Sequence, residues 1–259
     1  MAAKVTHIAS RDNALLLRLR RLARQPGGYR RQGEMLLEGE HLCQAWVASG
    51  SAAPSVALIA ASAWPQGGAA ALARTAASVA VVADAALAGV GILETATPLA
   101  FVVALPPAPA VLSSAPSVVL DRVQDAGNVG SILRSAAALG VEQVIALRGT
   151  ASLWSPKVVR AGMGAHFRLR LVEGDDEAAL AALAVPMLTT SSHAGQALPD
   201  AALPWPCAWV FGNEGEGVAA GLHARCTAPV RIPQPGGQES LNVAVAAAIC
   251  LYESARRRL

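Results

Sequence analysis

The sequence predicts an α/β protein in two parts, the second built on a mostly parallel sheet covered by helices on both faces. Three observations predict it. Short apolar runs of strand character alternate with alanine-rich stretches of helical spacing along the whole chain. A Pro/Ser/Ala stretch at 106–116 separates two such series. In the second series, glycine-rich segments follow predicted strands, the place where open α/β sheets keep their ligands. With 259 residues, 53% of them hydrophobic, the chain suits one large domain or two modest ones with real cores.

From the N-terminus, Arg11, Arg18, Arg20, Arg21, Arg24, Arg30 and Arg31 crowd the first segment against the lone carboxylate of Asp12. Leu15, Leu16, Leu19 and Leu22 make an apolar stripe between them, so 12–24 reads as a helix stopped by Pro26-Gly27-Gly28. Its basic side is a solvated face, an Arg-rich transit peptide or a phosphate-binding surface, with Arg11, Arg18, Arg21, Arg30 and Arg31 as the candidate contacts. Against a transit peptide, the pattern runs unbroken into EMLLEGEHLCQAW. Strands are expected at 35–37, 56–60, 79–82 and 101–104, with a helix at 39–48. Together 1–105 form a small α/β or α+β domain, and 106–116, unable to continue a helix or a central strand, form the linker.

The second domain, 117–259, has strand candidates at 117–120, 143–147, 167–171, 186–190, 208–211 and 228–232, alternating with helices. After the first comes DAGNVGSILRSAAA, 125–138. Here Gly127 and Gly130 permit a close turn, Asn128 falls at the cap, and Ile132, Leu133, Ala136, Ala137 and Leu139 form a helical core face. Arg134 falls near the turn end, able to lean back towards the loop. The segment VFGNEGEGV, 210–218, is a strand running into bare backbone around Asn213, Glu214 and Glu216, free to bond an adenine edge or a ribose. IPQPGGQESLN, 232–242, leads through Glu239 and Ser240 into a long helix at 241–257, whose Arg256, Arg257 and Arg258 suit the negative end of its dipole. Either glycine loop alone is compatible with a tight turn; the three segments together point to a site.

Composition excludes several classes. The low-polarity run 76–93 is mostly alanine and glycine, is interrupted by Asp84 and lacks basic anchors, so no membrane span is expected. Cys43, Cys207, Cys226 and Cys250 are scattered without metal or disulfide spacing, which fits a reducing cytoplasm. No metal site, P-loop, nucleophile elbow or internal repeat is visible, and His7, His41, His166, His193 and His223 do not cluster. A nicotinamide-binding fingerprint is also absent. Gly127 to Gly130 gives only G-x-x-G, and GNEGEG carries carboxylates that would repel a pyrophosphate.

The three segments, in this order and with these gaps, resemble the SpoU (TrmH-like) family of RNA ribose 2′-O-methyltransferases of the SPOUT superfamily. Asn128-x-Gly130-x-x-x-Arg134 resembles the family's first motif, and Gly212-Asn213-Glu214-Gly215-x-Gly217 the second. Ile232-Pro233 with Glu239-Ser240-Leu241-Asn242-Val243 resembles the third, and RAGMGAHFRLRL from Arg160 is similar to another common segment. The arginine-rich start leading into LLEGEHL resembles the family's small RNA-binding domain, related in fold to ribosomal proteins. The resemblance implies a C-terminal domain tied in a deep trefoil knot, a feature connectivity rules would not predict. It implies a cytoplasmic homodimer binding S-adenosylmethionine through Gly212, Ile232 and Leu241, with Asn213, Glu214 and Asn242 shaping the pocket and Thr189 to Ser192 beside the adenosine. Arg134 becomes the catalytic residue and Asn128 its neighbour, often across the dimer. Where many relatives carry serine after Leu241-Asn242-Val243, this chain has Ala244, which excludes a hydroxyl role there.

Methyl transfer to a ribose hydroxyl is an in-line displacement, so the protein must align the oxygen and remove its proton. A guanidinium holds its own proton too firmly to be the base. Arg134 is therefore expected to clamp the phosphate and ribose oxygen against developing negative charge, with Glu214 a candidate proton acceptor or else a capping and pairing group. The expected substrate is ribosomal RNA. A transfer RNA, or a catalytically silent RNA-binding role, is the alternative.

Overall fold

The computed structural model describes residues 3–92, 97–174, 177–191, 195–227, 229–237 and 240–259. The chain divides into two units: 1–107 with 154–167, and 108–153 with 168–259. The first unit holds β1 (Lys4–Ile8), α1 (Ala14–Arg24), α2 (Gly28–Gln32), β2 (Glu34–Glu38), α3 (Glu40–Ala48), β3 (Val56–Ala60), α4 (Gly68–Ala73), β4 (Ser78–Val82), α5 (Asp84–Leu87) and β5 (Leu99–Ala104). Its sheet runs β1-β4-β3-β5-β2. The strands β1, β4 and β3 are parallel, while β5 is antiparallel to both its neighbours.

Because side chains alternate along a strand, this sheet serves two cores. Leu37, Ile59, Val81 and Phe101 face Leu42, Cys43 and Trp46 of α3 and the alanines of α4. On the other side Leu36, Leu58, Val82 and Val102 meet Leu16, Leu19 and Leu22 of α1. That helix is capped by Asn13, whose side chain accepts from Leu15 N at 2.9 Å, and its arginines ring the solvent side as the leucine spacing predicts.

The second unit begins with β6 (Ser117–Leu120), α6 (Ala126–Ala138) and β7 (Gln143–Ala146). Then α7 (Pro156–Gly162) returns the chain to the first unit. This corrects the expected boundary, since 154–167 fall inside the stretch expected for the second domain. Packing explains it: Val159, Trp154 and Phe167 complete the α3 core, with Phe167 edge-on to Trp46 at 5.2 Å between ring centroids. Gly164, at φ +87°, sits where a Cβ would come within 2.8 Å of the Ala45 methyl. The strand expected at 167–171 accordingly starts three residues later. A 3-10 turn, Ala165–Arg168, precedes β8 (Arg170–Glu173).

The rest of the second unit comprises β9 (Met187–Thr189), β10 (Gln196–Ala197), β11 (Ala208–Phe211), α8 (Ala220–His223), β12 (Val230–Arg231) and α9 (Val243–Arg256). The strand expected at 228–232 is thus shorter, and residue 228 lies outside the described residues. The main sheet, β8-β7-β6-β11-β9, is parallel throughout, as predicted, and β10 pairs with β12 beside it. The stretch 108–116, expected as linker, groups with this unit, where buried Gln143 bonds both the N–H and the C=O of Leu112. Helix α9 packs on α6 and β11, and Trp209 donates to the Ser254 hydroxyl at 3.0 Å.

The C-terminal arginines do more than answer a dipole. Arg257 donates to the carbonyls of Leu198, Pro199 and Ala201, and Arg258 stacks on Trp205 at 3.4 Å. Among the described residues no helix is long and apolar enough to cross a membrane, and no cluster of His, Cys, Asp and Glu could hold a metal ion. All four cysteines are free thiols, and burial pushes each one up, Cys207 and Cys226 to about 11.

Candidate active site

A cavity of about 600 Å³ opens at the carboxyl edge of the second sheet. Its walls are the chain just beyond β9 (Thr190, Ser191), β11 (Phe211 to Val218) and β12 (Ile232, Gln234), together with the start of α9 (Ser240 to Val243). A parallel sheet makes such a place because its strands all end on one edge, and the loops beyond them converge. Gly212, Asn213, Ile232, Leu241 and Asn242 all line it, as expected, and so does Glu214. Ser192 and Glu239 lie outside the described residues.

The loop beyond β11 is closed on itself. Asn213 and Gly217 exchange backbone hydrogen bonds of 3.0 and 2.9 Å, and Gly212 lies so close beneath that a Cβ would stand 2.2 Å from Gly217 C and Val218 N. Only glycine fits there. The Asn213 side chain is committed to the same fold: it accepts from Gly215 N and Glu216 N and donates to the Arg122 carbonyl. Arg122, immediately after β6 and at φ +57°, fastens the loop from below through Asp121, Glu216 and the Gly217 carbonyl. Sequence reasoning missed this arginine, although its place at a strand end was the available signal.

One chain of hydrogen bonds joins the three motifs. Asn242 Nδ2 donates to Asn128 Oδ1 at 3.0 Å, and Asn128 Nδ2 donates to Glu214 Oε1 at 3.0 Å. Asn242 also caps α9 by accepting from Ala244 N and Val245 N. Desolvation raises the Glu214 carboxyl, but the bonds from Asn128 and nearby backbone N–H groups outweigh it and leave Glu214 below the usual carboxylate range. The group is held ionised, which makes it a weak base and a firm anchor for Asn128.

Two expectations about α6 need correction. The cap is Asp125, which accepts from Asn128 N at 2.7 Å; Asn128 therefore lies in the first turn, and Gly127 and Gly130 lie inside the helix rather than in a turn before it. Ile132, Leu133 and Ala136 are buried as predicted, whereas Ala137 and Leu139 are half-buried. Arg134 does not lean back into the cavity. It is exposed, absent from the cavity lining and, among the described residues, without an ionic or hydrogen-bonded partner. Six residues beyond Asn128, it sits roughly 120° round the helix from it. The face of α6 turned to α9 carries Asn128, Ser131 and Ser135 and forms a groove with Asn242, Ala244, Val245, Ala248, Ile249 and Tyr252. Ala244 belongs to this groove and not to the cavity.

In the first unit the basic residues divide. Arg18 is paired with Glu34, Arg11 donates to the Ala85 carbonyl, and Arg31 to the Pro26 carbonyl. Arg30 lies over the Tyr29 ring, while Arg21 is exposed with no partner among the described residues. His223 and Gln234 line the cavity although neither was singled out. Gln234 was within reach, two residues past Ile232 in a segment already read as a site loop. For His223, on a four-residue helix, the sequence carries no periodic signal.

A parallel sheet with three strand-end loops converging on a small-ligand-sized cavity has the layout of an α/β ligand-binding domain. The model of the SpoU rRNA methylase family matches residues 115–252, and the chain belongs to that family. It is 31% identical to an uncharacterised tRNA/rRNA methyltransferase of Synechocystis over all of this chain and 96% of that protein. It is 39% identical to the 23S rRNA (guanosine-2′-O-)-methyltransferase RlmB of Bordetella pertussis, over 54% of this chain and 59% of that one. The crystal structure of the SpoU methyltransferase AviRb of Streptomyces viridochromogenes, in complex with the cofactor AdoMet, superposes with a TM-score of 0.84 at 28% identity, covering 95% of this chain and 98% of that one.

Proposed function

We propose that the chain is an S-adenosylmethionine-dependent RNA ribose 2′-O-methyltransferase acting on ribosomal RNA in the cytoplasm, as a homodimer with a knotted C-terminal domain. The observation that carries this reading is the meeting of the second and third motif segments around one cavity, with Asn128 of the first tied to both through hydrogen bonds to Glu214 and Asn242. The residues present fit the cofactor. The volume is that of a small-ligand site, Phe211, Ile232 and Leu241 give apolar walls, and the tightly closed loop above Gly212 offers main chain without bulky side chains. When bound, S-adenosylmethionine supplies an electrophilic methyl group carried on a sulfonium.

What the protein contributes is alignment and charge. Gly212, Asn213, Ile232, Leu241 and Asn242 hold the cofactor, largely through backbone. Glu214 fixes the Asn128 amide, and Asn128 orients the ribose at the mouth of the cavity. Arg134 holds the substrate phosphate and the ribose oxygen as negative charge grows there, the kind of charge-assisted contact a guanidinium makes in a fork. Since Arg134 faces away from the cavity of its own chain, it serves the cavity of the partner. The groove between α6 and α9 supports this: Tyr252 is 57%, Val245 49% and Ile249 36% exposed on a helix otherwise packed into the protein. Arg11, Arg18, Arg21, Arg30 and Arg31 of the first unit grip the RNA backbone, with Arg21 the most available of them.

Methyl transfer from labelled S-adenosylmethionine to ribosomal RNA tests the assignment. Arg134→Ala should lower the rate by at least about a hundredfold, as loss of a charge-stabilising donor does, and leave S-adenosylhomocysteine affinity unchanged. Full activity of that variant would remove Arg134 from catalysis. Inactivity of the wild type on ribosomal RNA, with activity on transfer RNA, would move the substrate.

A further inference from the structure

A second cavity, of about 570 Å³, adjoins the first and shares Glu216, Val218 and His223 with it. None of the five cofactor residues lines it. Arg122 does, together with the small side chains of Ala219, Ala220 and Ala224. One buried carboxylate sets the spacing of these parts: Asp121, its side chain only 7% exposed, accepts from Arg122 Nε at 3.1 Å and from Ala219 N at 2.7 Å. Gly149, at φ +89°, leaves room for the arginine stem, since a Cβ there would stand 3.0 Å from Arg122 Cγ. Arg122 itself is held at φ +57°, a conformation unfavourable to any residue with a side chain, and such strain persists where the surrounding structure enforces it.

The chemistry of the walls narrows the occupant. Nε and both terminal nitrogens of Arg122 already bond Asp121, Glu216 and the Gly217 carbonyl, so the edge of the guanidinium is spent. What it still offers is a flat face. A phosphate is disfavoured, because the carboxylates of Asp121 and Glu216 together outweigh the one guanidinium. His223, half-buried on α8, adds a ring with no hydrogen bond among the described residues. Two flat surfaces among alanines suit a neutral planar group. We propose that this second cavity takes an unpaired nucleobase of the RNA substrate, close to the methylated nucleotide, stacked on the Arg122 guanidinium and the His223 ring, an inference that rests on the RNA-substrate reading above. Single-stranded RNA is recognised in this way, by splayed bases laid on aromatic rings and guanidinium planes.

The experiment compares binding of the full chain to two short fluorescein-labelled RNAs of equal length, an oligoadenylate and its abasic counterpart, by fluorescence anisotropy. Both carry the same phosphates, so the ratio of their affinities isolates the bases. The wild type should prefer the oligoadenylate by at least about tenfold. Ala224→Trp fills the second cavity from an exposed position that does not line the first, and should bring the ratio below about threefold. Its salt dependence and its affinity for S-adenosylhomocysteine should not change. His223→Ala should lower the ratio as well, whereas His223→Phe, which keeps a flat ring, should retain it. Thermal melting confirms that each variant is folded, and the wild-type ratio stands as a test even where one is not. Equal wild-type affinities, an unchanged ratio in Ala224→Trp or His223→Ala, or a lost ratio in His223→Phe overturns the proposal. So does a shallower salt slope in Ala224→Trp, which would make the cavity a phosphate site. Methyl transfer to ribosomal RNA is scored separately: a wild type that shows the base preference and the variant losses but transfers no methyl keeps this cavity assignment and sinks the enzyme reading alone.

Discussion

Replacing Gly212 with alanine is the sharpest perturbation of the site, because its cost follows from geometry. The new methyl carbon would lie 2.2 Å from two backbone atoms, Gly217 C and Val218 N, where ordinary contact begins at 3.4 Å. Neither atom can swing aside as a flexible side chain would, so the loop must rise by more than an ångström. That movement breaks the reciprocal 3.0 and 2.9 Å hydrogen bonds between Asn213 and Gly217. Overpacking costs about 1–3 kcal/mol and each lost bond about 0.5–1.5 kcal/mol, so holding the loop closed becomes less favourable by about 2–4 kcal/mol after partial relaxation. A ligand that needs the closed loop must offset that cost on binding, which weakens its affinity by about 30-fold to 1000-fold. Global stability should fall much less, since the loop beyond β11 is exposed and can open without unfolding the sheet. Titration with S-adenosylhomocysteine alongside urea denaturation separates the two effects. Wild-type affinity in Gly212→Ala would falsify the idea that the closed loop forms the cofactor wall.

Two further outcomes follow from other parts of the molecule. Ile249→Asp places a carboxylate on the exposed apolar face of α9 and should convert a dimer to a folded monomer in sedimentation equilibrium. A wild type already monomeric at micromolar concentration would refute the dimer and the role of Arg134 across it. At the C-terminus, hydrogen bonds from Arg256 and Arg257 hold the Glu253 carboxyl at about 2, below its ordinary 4.5. A carboxyl lowered by folding stabilises the protein above its unfolded pKa and ceases to do so as pH falls through the folded one. The difference in Tm between wild type and Glu253→Gln should therefore be constant from pH 8 to about 5 and close between about pH 4.5 and 2; a difference that persists at pH 2 would show that the clasp is not ionic.

Local pattern made much of this protein legible. The leucine spacing of α1, the alternating runs that became the two sheets, and the glycine segments at strand ends are all short-range features, so sequence periodicity carries them. The five cofactor residues expected from the motifs do meet around one cavity. Sequence failed where two neighbouring candidates compete for one role. Asp125 took the cap expected of Asn128 because two acceptors three residues apart compete for the same orphan N–H groups, and the backbone angle settles which wins.

By itself, then, the chain determined most of its elements, its parallel second sheet and the two cavity loops beyond β11 and β12, since each depends on residues adjacent in sequence. Only the tertiary structure decided that 154–167 complete the core of the first unit and that Arg122 fastens a loop 91 residues away. It also turned Arg134 outward. Those outcomes depend on which surfaces bury one another and which hydrogen bonds are already taken, and both are set by contacts between residues far apart along the chain.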